Sequence, residues 1–336
     1  MPKLSHVIAA VFDRPWFIRQ SELSMMAELV RLHAAGGGLS QAEIRDRLDR
    51  AVATNGPRRG ARTAGAVAVI PVYGLISPRA TIMTEFSGGT TIDQIRSTFR
   101  EVMADEAVGS VLFDFDSPGG YVDGIEELAT EIREARGQGK PIVAIADYTM
   151  ASAAYYLGAQ ADEVVASPSS DVGWIGTVLV HREFSKMDEA AGITTTIFRD
   201  PPGKYGGNEF EPLSDKAREE LQQSVDDYSR QFHNAVAKAR GVPVATVKAD
   251  FGQGGGMTAA RAKAAGLVDR VETIDETIRR LATGKGPASR GPSSVGLVDA
   301  PDGAAPAVAA AEPSSPLDRS KEAEAALALA RARVRR

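Results

Sequence analysis

The sequence predicts an α/β protein in which a parallel β-sheet forms the core and helices cover it. From Gly65 onward, short apolar runs rich in β-branched residues alternate with stretches of helical periodicity, which is the pattern of β-α units around one sheet. Glycine, proline and polar residues mark the turns between these segments. Composition divides the chain into an N-terminal helical segment with a linker (1–64), a folded domain (65–282) and a low-complexity tail (283–336).

Composition also limits the functional classes. The 336-residue chain is 43% hydrophobic and 25% charged, so a sizeable core can form. A formal net charge of −5, without clustered Lys and Arg in the body of the chain, argues against general nucleic-acid binding. Cysteine is absent, which excludes a disulfide or a thiolate nucleophile, and the four histidines lack the spacing of a zinc site. We therefore expect no metal and no other cofactor.

The N-terminus resembles neither a signal peptide nor a membrane span, because Asp13, Arg14 and Pro15 break its short apolar run. We expect a cytoplasmic protein without a membrane span. Helical periodicity follows, and a polar stretch at 54–61 is typical of a linker. The apolar face of the predicted helix carries Leu23, Met26, Leu29 and Val30.

The elements of the domain follow from periodicity in chain order. We predict strands at 66–72, 110–115, 141–146 and 163–166, and helices at 91–103, 125–135 and 152–160. Glycine at position 137 ends the second of these helices.

The second half of the domain is less regular. We predict strands ending at His181 and spanning 194–198, then a long helix that Ser214 caps. The fold closes near 274–281. Beyond Gly284 the chain is too poor in large apolar residues to bury a core, so we predict disorder, with an Ala-rich segment at 320–336 compatible with a short helix.

Three segments at predicted strand ends carry the candidate chemistry, and the first is Asp116-Ser-Pro-Gly-Gly120. Open α/β sheets usually build their sites where parallel strands end. Paired glycines let backbone N–H groups face a ligand without an intervening Cβ, so Gly119 and Gly120 are candidates for an oxyanion hole. The alternative is a tight strand-to-helix turn without a chemical role.

The second segment places Ser152 between a predicted strand and a predicted helix. A serine at that position is ordinarily an N-cap. A nucleophilic serine would need a base within hydrogen-bond reach and backbone amides facing the developing oxyanion. Gly120 and Ala153 could supply those amides.

The third segment is the loop Pro201-Pro-Gly-Lys-Tyr-Gly-Gly-Asn208, which contains Lys204. A lysine in such a loop is ordinarily an exposed surface charge. It acts as a base only where its surroundings favour the neutral amine, as burial beside apolar groups does.

Together and in this order, the three segments resemble the signal peptide peptidase A (SppA) serine peptidases over residues 65–281. The resemblance rests on Ser117-Pro-Gly-Gly, Met150-Ala-Ser-Ala-Ala-Tyr-Tyr and the Gly203-Lys loop that runs into Asn208-Glu-Phe-Glu-Pro-Leu-Ser. The phage and prophage branch, the head-maturation peptidases of the minor capsid protein C type, is the most similar. Its further features here are Pro15-Trp16, Gly74-Leu-Ile-Ser-Pro-Arg-Ala and Ser87-Gly-Gly-Thr-Thr-Ile.

This resemblance implies a ClpP/crotonase-like fold and a serine endopeptidase with a Ser/Lys dyad. Ser152 would attack the scissile carbonyl and form an acyl-enzyme, and Lys204 would take and return the proton. Backbone amides at Gly119, Gly120 and Ala153 would hold the oxyanion. The resemblance also implies a homo-oligomeric ring, in which the lysine reaches the serine of its own copy or of a neighbour.

The same resemblance implies polypeptide substrates, namely capsid scaffold or head proteins cleaved during prohead maturation. The place of action would be the cytoplasm of a bacterial host, including the interior of phage proheads.

Two positions depart from the family pattern. Family members often carry Gly-Ser-Ile-Gly-Val where this chain has Gly173-Trp-Ile-Gly-Thr177, so a serine hydroxyl that could orient the lysine is missing. Thr177 or Ser170 could substitute for it. Ala153 and Ala154 replace a glycine-rich step after the nucleophile. We expect an apolar S1 pocket lined by residues such as Tyr155 and Trp174.

Three other functions remain open on the sequence. One is a ClpP-like Ser/His/Asp triad built on Ser152 and His181. Another is a crotonase-type acyl-CoA enzyme, which would bind CoA and would not be acylated at Ser152 by a fluorophosphonate. The last is a catalytically silent capsid protein, which would fold and assemble without cleaving scaffold.

Overall fold

The computed structural model of the protein describes residues 15–24, 26, 62–64, 66–79 and 89–287. Its strands are β1 (Trp16–Ile18), β2 (Arg62–Ala64), β3 (Val67–Tyr73), β4 (Ile76–Ser77), β5 (Thr90–Thr91), β6 (Ser110–Ser117), β7 (Gly119–Tyr121), β8 (Ile142–Ala151), β9 (Glu163–Ala166), β10 (Asp171–Gly173), β11 (Gly256–Thr258) and β12 (Arg270–Val271). Its helices are α1 (Ile92–Ala104), α2 (Ile125–Glu134), α3 (Ala153–Gly158), α4 (Ser185–Ala190), α5 (Asp215–Arg240), α6 (Val244–Asp250), α7 (Ala259–Ala265) and α8 (Ile274–Ala282).

The main sheet has the strand order β11-β10-β8-β6-β3-β2, with β9 paired to β8 and β12 paired to β9. Strands β3, β6, β8, β9, β10 and β12 pair in parallel, whereas β2 and β11 add antiparallel edges. All but one residue of β6 are buried, as expected for a central strand covered on both faces. The predicted α/β class with a parallel-sheet core is confirmed.

Helices cover both faces of this sheet. Helices α1, α2 and α3 pack against one face in the larger hydrophobic cluster, and α8 packs against the other through Leu281 beside Val69 and Leu112. Thr91 caps α1 through a capping box, with its side chain accepting from the backbone N–H of Gln94. Periodicity located α1 and α2 well, because each buries one apolar face, whereas all six residues of α3 are buried.

A smaller four-stranded sheet lies beside the first, in the order β1-β7-β4-β5. This sheet corrects the interpretation of the glycine pair as a tight strand-to-helix turn. Gly119 and Gly120 belong to strand β7, and α2 begins only at Ile125, so the glycine pair does not open a helix. The sequence lacked a signal for this because β7 pairs with β1, about a hundred residues away in the chain.

Helix α5 begins where Ser214 accepts a hydrogen bond from the backbone N–H of Ala217, which confirms the predicted cap. Near its end, Arg240 forms an ion pair with Asp269 at 2.7 Å. Arg240 also donates to the Gly266 carbonyl, and Asp269 accepts from the backbone N–H of Val164. The C-terminal end of α5 is thereby attached to the sheet.

Residues 177–210, called the arm from here on, differ from the rest of the described chain. Asn208 is their single buried residue. Five of the six exposed large apolar side chains among the described residues belong to the arm: Met187, Ile193, Phe198, Tyr205 and Phe210.

Two predicted strands of the arm are wrong as regular elements. Residues 194–198 form no strand, because no neighbouring strand of the described chain pairs with them. The segment ending at His181 forms a single antiparallel bridge, between Val178 and Trp16.

Other expectations fall partly outside the described residues. Residues 20–24 and 26 are helical, with Leu23 and Met26 buried beside Trp16 and Tyr121. Leu29, Val30, the linker at 54–61 and the tail beyond 287 lie outside the described part, and the domain boundaries stay predictions. Within the described ranges, no helix is long and apolar enough to cross a membrane.

Candidate active site

Ser152 lies at a sharp turn between the end of β8 and the start of α3. Its backbone adopts φ 53° and ψ −115°, a conformation that residues with a Cβ rarely adopt and that costs about 1–3 kcal/mol. Its backbone N–H donates to the Gly173 carbonyl at 2.8 Å, which holds the turn against β10. A serine held in a strained strand-to-helix turn is typical of catalytic nucleophiles.

The Ser152 hydroxyl is an unusual buried polar group. The residue is 1% exposed, and its Oγ is buried without a hydrogen-bond partner among the described residues. Buried hydroxyls are normally satisfied, and leaving one unpaired costs about 1–3 kcal/mol. The side chain therefore does not act as an N-cap, and α3 has no side-chain cap bond.

Gly119 is the nearest element of the glycine motif to this serine. A Cβ at Gly119, where φ is +102°, would lie 3.0 Å from the Ser152 Cβ and 2.1 Å from the Phe17 carbonyl oxygen. Only glycine fits there. The Ser117 hydroxyl accepts the Gly119 N–H at 3.2 Å and donates to the Gly74 carbonyl at 2.6 Å.

The Gly120 amide is engaged by strand β1. Arg19 donates its backbone N–H to the Pro118 carbonyl at 2.9 Å. In the antiparallel β1–β7 ladder, hydrogen-bonded pairs alternate, so the next such pair is Phe17–Gly120. The Gly120 N–H therefore points at the Phe17 carbonyl. Of the three predicted oxyanion amides, Gly119 and Gly120 already have acceptors, and Ala153 follows the nucleophile as the first residue of α3.

Lys204 lies in the arm, whereas Ser152 lies between β8 and α3. The lysine is exposed in the arm, and the Ser152 Oγ has no bond to it. Its loop rests on the first turns of α5, since a Cβ on Gly206 would lie 3.6 Å from the Ala217 Cβ. The two predicted catalytic residues thus lie on separate parts of the fold.

The hydroxyls that could orient the lysine differ in their surroundings. Ser170 donates its hydroxyl to the Ser167 carbonyl at 2.8 Å, so this group is part of a local turn. The Thr177 Oγ1 is buried with no partner in the described part of the chain. Thr177 is therefore the better placed of the two candidates.

Trp174 occupies the position of the missing serine with a positive φ of 57°. Its indole N–H donates to the Asp171 carboxylate at 2.7 Å. A Cβ on Gly256 would lie 2.2 Å from the indole nitrogen, so the ring packs directly on β11. Tyr155 is wholly buried and donates to the Leu267 carbonyl. Both side chains have structural partners.

His181 also has an unsatisfied group. Its Nε2 is buried and has no hydrogen-bond partner among the described residues. The histidine lies three residues after Val178, which bridges to Trp16. The surroundings of His181 are thus compatible with its role as the alternative base.

Acidic groups cluster where β6 and β8 end. Partial burial and the nearby carboxylate of Asp147 raise the pKa of Asp116 above its usual range. Arg19 and the backbone N–H of Thr149 act in the opposite direction. Across the described ranges, no three His, Asp or Glu side chains are arranged to hold a metal ion.

Residues 134–287 match the model of peptidase family S49. This match covers 154 of the 336 residues, a little under half of the chain. The match includes Ser152, His181 and Lys204, whereas β1 and the glycine pair precede it.

Two relatives come from phages. The chain is 30% identical over 294 residues to the head-tail preconnector protein GP5 of Enterobacteria phage P21, covering 83% of this chain and 57% of that protein. It is 26% identical over 259 residues to the capsid assembly protease C of Escherichia phage lambda, covering 73% of this chain and 58% of that protein. The chain thus spans a little over half the length of either relative. Among solved structures, ClpP1 of Listeria monocytogenes aligns with a TM-score of 0.38 at 11% identity, covering 62% of this chain and 94% of that one.

Sequence reasoning missed the strand that lies against the glycine pair. Trp16, Phe17 and Ile18 are all buried, although only Pro15-Trp16 stood out in the sequence. Their aromatic and β-branched composition favours a strand. A run of three residues is too short to predict a strand, and its pairing partner is distant.

A cavity of about 290 Å³ in the arm, between α4 and Phe210, contains neither Ser152 nor Lys204.

Proposed function

We propose that the protein is a serine endopeptidase in which Ser152 is the nucleophile and Lys204 the general base. The observation that carries this proposal is the buried, unpartnered Oγ of Ser152 in a strained turn beside Gly119. Such a turn offers the hydroxyl to an incoming carbonyl and leaves one hydrogen-bonding position free for a base.

In the proposed reaction, Lys204 as the free amine removes the Ser152 proton while Oγ attacks the scissile carbonyl carbon. The resulting oxyanion is held by backbone N–H groups at Ala153 and at the glycine pair, where Gly119 and Gly120 lie. The ammonium of Lys204 then protonates the leaving amine, and the acyl-enzyme remains on Ser152. Water, deprotonated by the same lysine, hydrolyses the ester and restores both groups.

Lys204 is proposed to act on the serine of a neighbouring copy in a homo-oligomeric ring. Two observations support this arrangement over one within a single chain. Lys204 is exposed on an arm that buries one residue, and the Ser152 Oγ has no hydrogen-bond partner among the described residues. Contact with a neighbour would bury the lysine and the apolar side chains of the arm together, which favours the neutral amine that a base requires.

The proposed substrates are phage capsid scaffold or head proteins cleaved during prohead maturation, in the bacterial host cytoplasm or inside proheads. One relative is named a capsid assembly protease and another a head-tail preconnector protein. We further propose Thr177 as the residue that orients Lys204, because its Oγ1 is buried without a hydrogen-bond partner in the part of the chain that the structure describes.

The test of the dyad uses Ser152→Ala and Lys204→Ala, with the exposed Lys263→Ala as the matched control. Each of the first two should lower cleavage of a scaffold protein about 10³-fold or more, because both groups act in the same step. Lys263→Ala should cleave at the wild-type rate. If Lys204→Ala retains turnover and His181→Ala loses it, the dyad is wrong and His181 is the base. The observation that supports this alternative is the buried His181 Nε2, which has no hydrogen-bond partner among the described residues.

Mixing the two inactive variants tests whether the site forms between copies. Co-refolded Ser152→Ala and Lys204→Ala should recover about a quarter of wild-type activity. In a symmetric ring of randomly mixed copies, about one site in four combines an intact Ser152 with an intact Lys204 from the neighbouring copy. No recovery in mixed oligomers, confirmed by differently tagged copies, would place both residues in one chain.

A further inference from the structure

Strand β1 is the central strand of a small ladder at the nucleophile. On one side, its residues pair with β7, where Ile18 lies opposite Gly119. On the other side, Trp16 exchanges two backbone hydrogen bonds with Val178, at 2.9 and 3.0 Å. Phe17 therefore bonds to β7 and Trp16 bonds to the arm, so both edges of β1 are used.

The Phe17 carbonyl occupies the place expected of a substrate carbonyl. It accepts from Gly120 and lies against Gly119, on the same face as the Ser152 Cβ. A peptide that Ser152 attacks must bring a carbonyl to this face. The other edge of β7 is bonded to β4, so an added strand has only the edge that β1 now fills.

The side chains of β1 fill two apolar pockets on opposite faces. Phe17 packs against Tyr156 and Phe232, with ring centroids 5.6 and 4.9 Å apart. Trp16 stacks on Tyr121 at 4.1 Å, in a separate cluster that also contains Ile18 and Leu75. Tyr156 lies on α3, four residues after the nucleophile, so the Phe17 pocket is adjacent to Ser152.

We propose that β1 lies in the substrate groove of this enzyme and that the groove takes an extended apolar peptide with an aromatic residue in the Phe17 position. The inference deepens the proposed function, on which it rests. A peptide making the same ladder bonds cannot bind while β1 is present. Strand β1 is therefore an internal competitor, and its departure precedes substrate binding.

The experiment uses a reversible disulfide that holds β1 against β7, called the lock. Because the native chain contains no cysteine, the two introduced cysteines have no other partner in the chain. Trp16 and Tyr121 are opposed in the ladder as a pair without mutual hydrogen bonds, where Cα atoms lie closest. Trp16→Cys with Tyr121→Cys, in the full chain carrying Ser152→Ala, gives a disulfide between β1 and β7. The probe is a fluorescein-labelled peptide of sequence Pro-Trp-Phe-Ile-Arg-Gln, and its control carries Asp in place of Phe.

The reduced protein should bind the Phe peptide at least about tenfold more tightly than the oxidised protein, because the lock removes the competent state. The Asp peptide should bind weakly to both forms. Equal binding by the two forms, or binding by neither, would overturn the inference. Binding is read in a chain without the nucleophile, so the result does not depend on whether Ser152 and Lys204 catalyse cleavage.

A second measurement avoids substitutions in β1. In the Ser152→Ala chain, saturating Phe peptide should increase hydrogen exchange at the backbone amides of Trp16, Phe17 and Arg19, which are bonded in the free protein. Peptide binding with these three amides still protected would mean that β1 is a permanent strand and that substrate binds elsewhere. Failure of the peptide to bind would count equally against the inference.

Discussion

Strand β6 and the arm contain similar residues but differ completely in burial. Strand β6 is flanked by β3 and β8, and its Phe113 is 1% exposed. Residues 194–198 of the arm are also rich in β-branched and aromatic residues, yet Phe198 is 92% exposed. Residues with high β-propensity therefore form a strand only where a partner strand is available. The same difference separates Ser152, which lies at the end of a sheet strand, from Lys204, which lies in the arm.

The largest expected effect compares the same substitution in the two regions. Phe113→Ala should lower the free energy of unfolding by about 3–5 kcal/mol, because it leaves a cavity in the sheet core. Phe198→Ala should change it by no more than about 0.5 kcal/mol in dilute protein, since the side chain contacts mainly solvent. Urea unfolding at low protein concentration measures both. A loss above about 2 kcal/mol in Phe198→Ala would mean that the arm packs within the monomer.

The next effect concerns what the arm contacts in the assembly. Phe198→Glu should weaken self-association at least about tenfold, because a charge would be buried at the proposed contact between copies. Turnover should fall in parallel and recover at higher protein concentration. Sedimentation velocity and scaffold cleavage over a concentration series provide the readouts. Gln253→Glu, an exposed change outside the arm, is the control. Unchanged association would remove the arm from the interface.

The smallest effect tests the strain at the sheet end. Ser152→Gly should raise the free energy of unfolding by about 1 kcal/mol, because relief of the positive φ and loss of an unsatisfied hydroxyl outweigh the entropy of glycine. Ser110→Gly, in a regular position of β6, should instead destabilise the fold. Thermal unfolding compares the two. A less stable Ser152→Gly would mean that the turn is not strained.

Local patterns in the sequence predicted the elements that local physics determines. Strand β9 and the N-cap of α5 at Ser214 follow from short-range periodicity and capping. The identity of Ser152 as a candidate nucleophile followed from its motif, whereas its unpartnered hydroxyl required the structure.

Pairings between distant segments could not be predicted in the same way. The contact of Phe17 with Gly120 joins residues about a hundred positions apart, and no periodicity encodes it. The strand predicted at 194–198 was wrong for the converse reason. Its residues have high β-propensity, but no strand of the described chain pairs with them. The placement of Lys204 depends on this arm and was therefore beyond local reasoning.

The attachment of α5 at Arg240 also sets a length scale for the proposed assembly. The helix has 26 residues and extends about 39 Å from its attached end to the turns that support the Lys204 loop. Each residue inserted into it would move that loop by about 1.5 Å and rotate it by about 100°. In the proposed assembly the helix would act as a rigid spacer, so the reach of the Lys204 loop toward a neighbouring copy would depend on the number of residues in the helix.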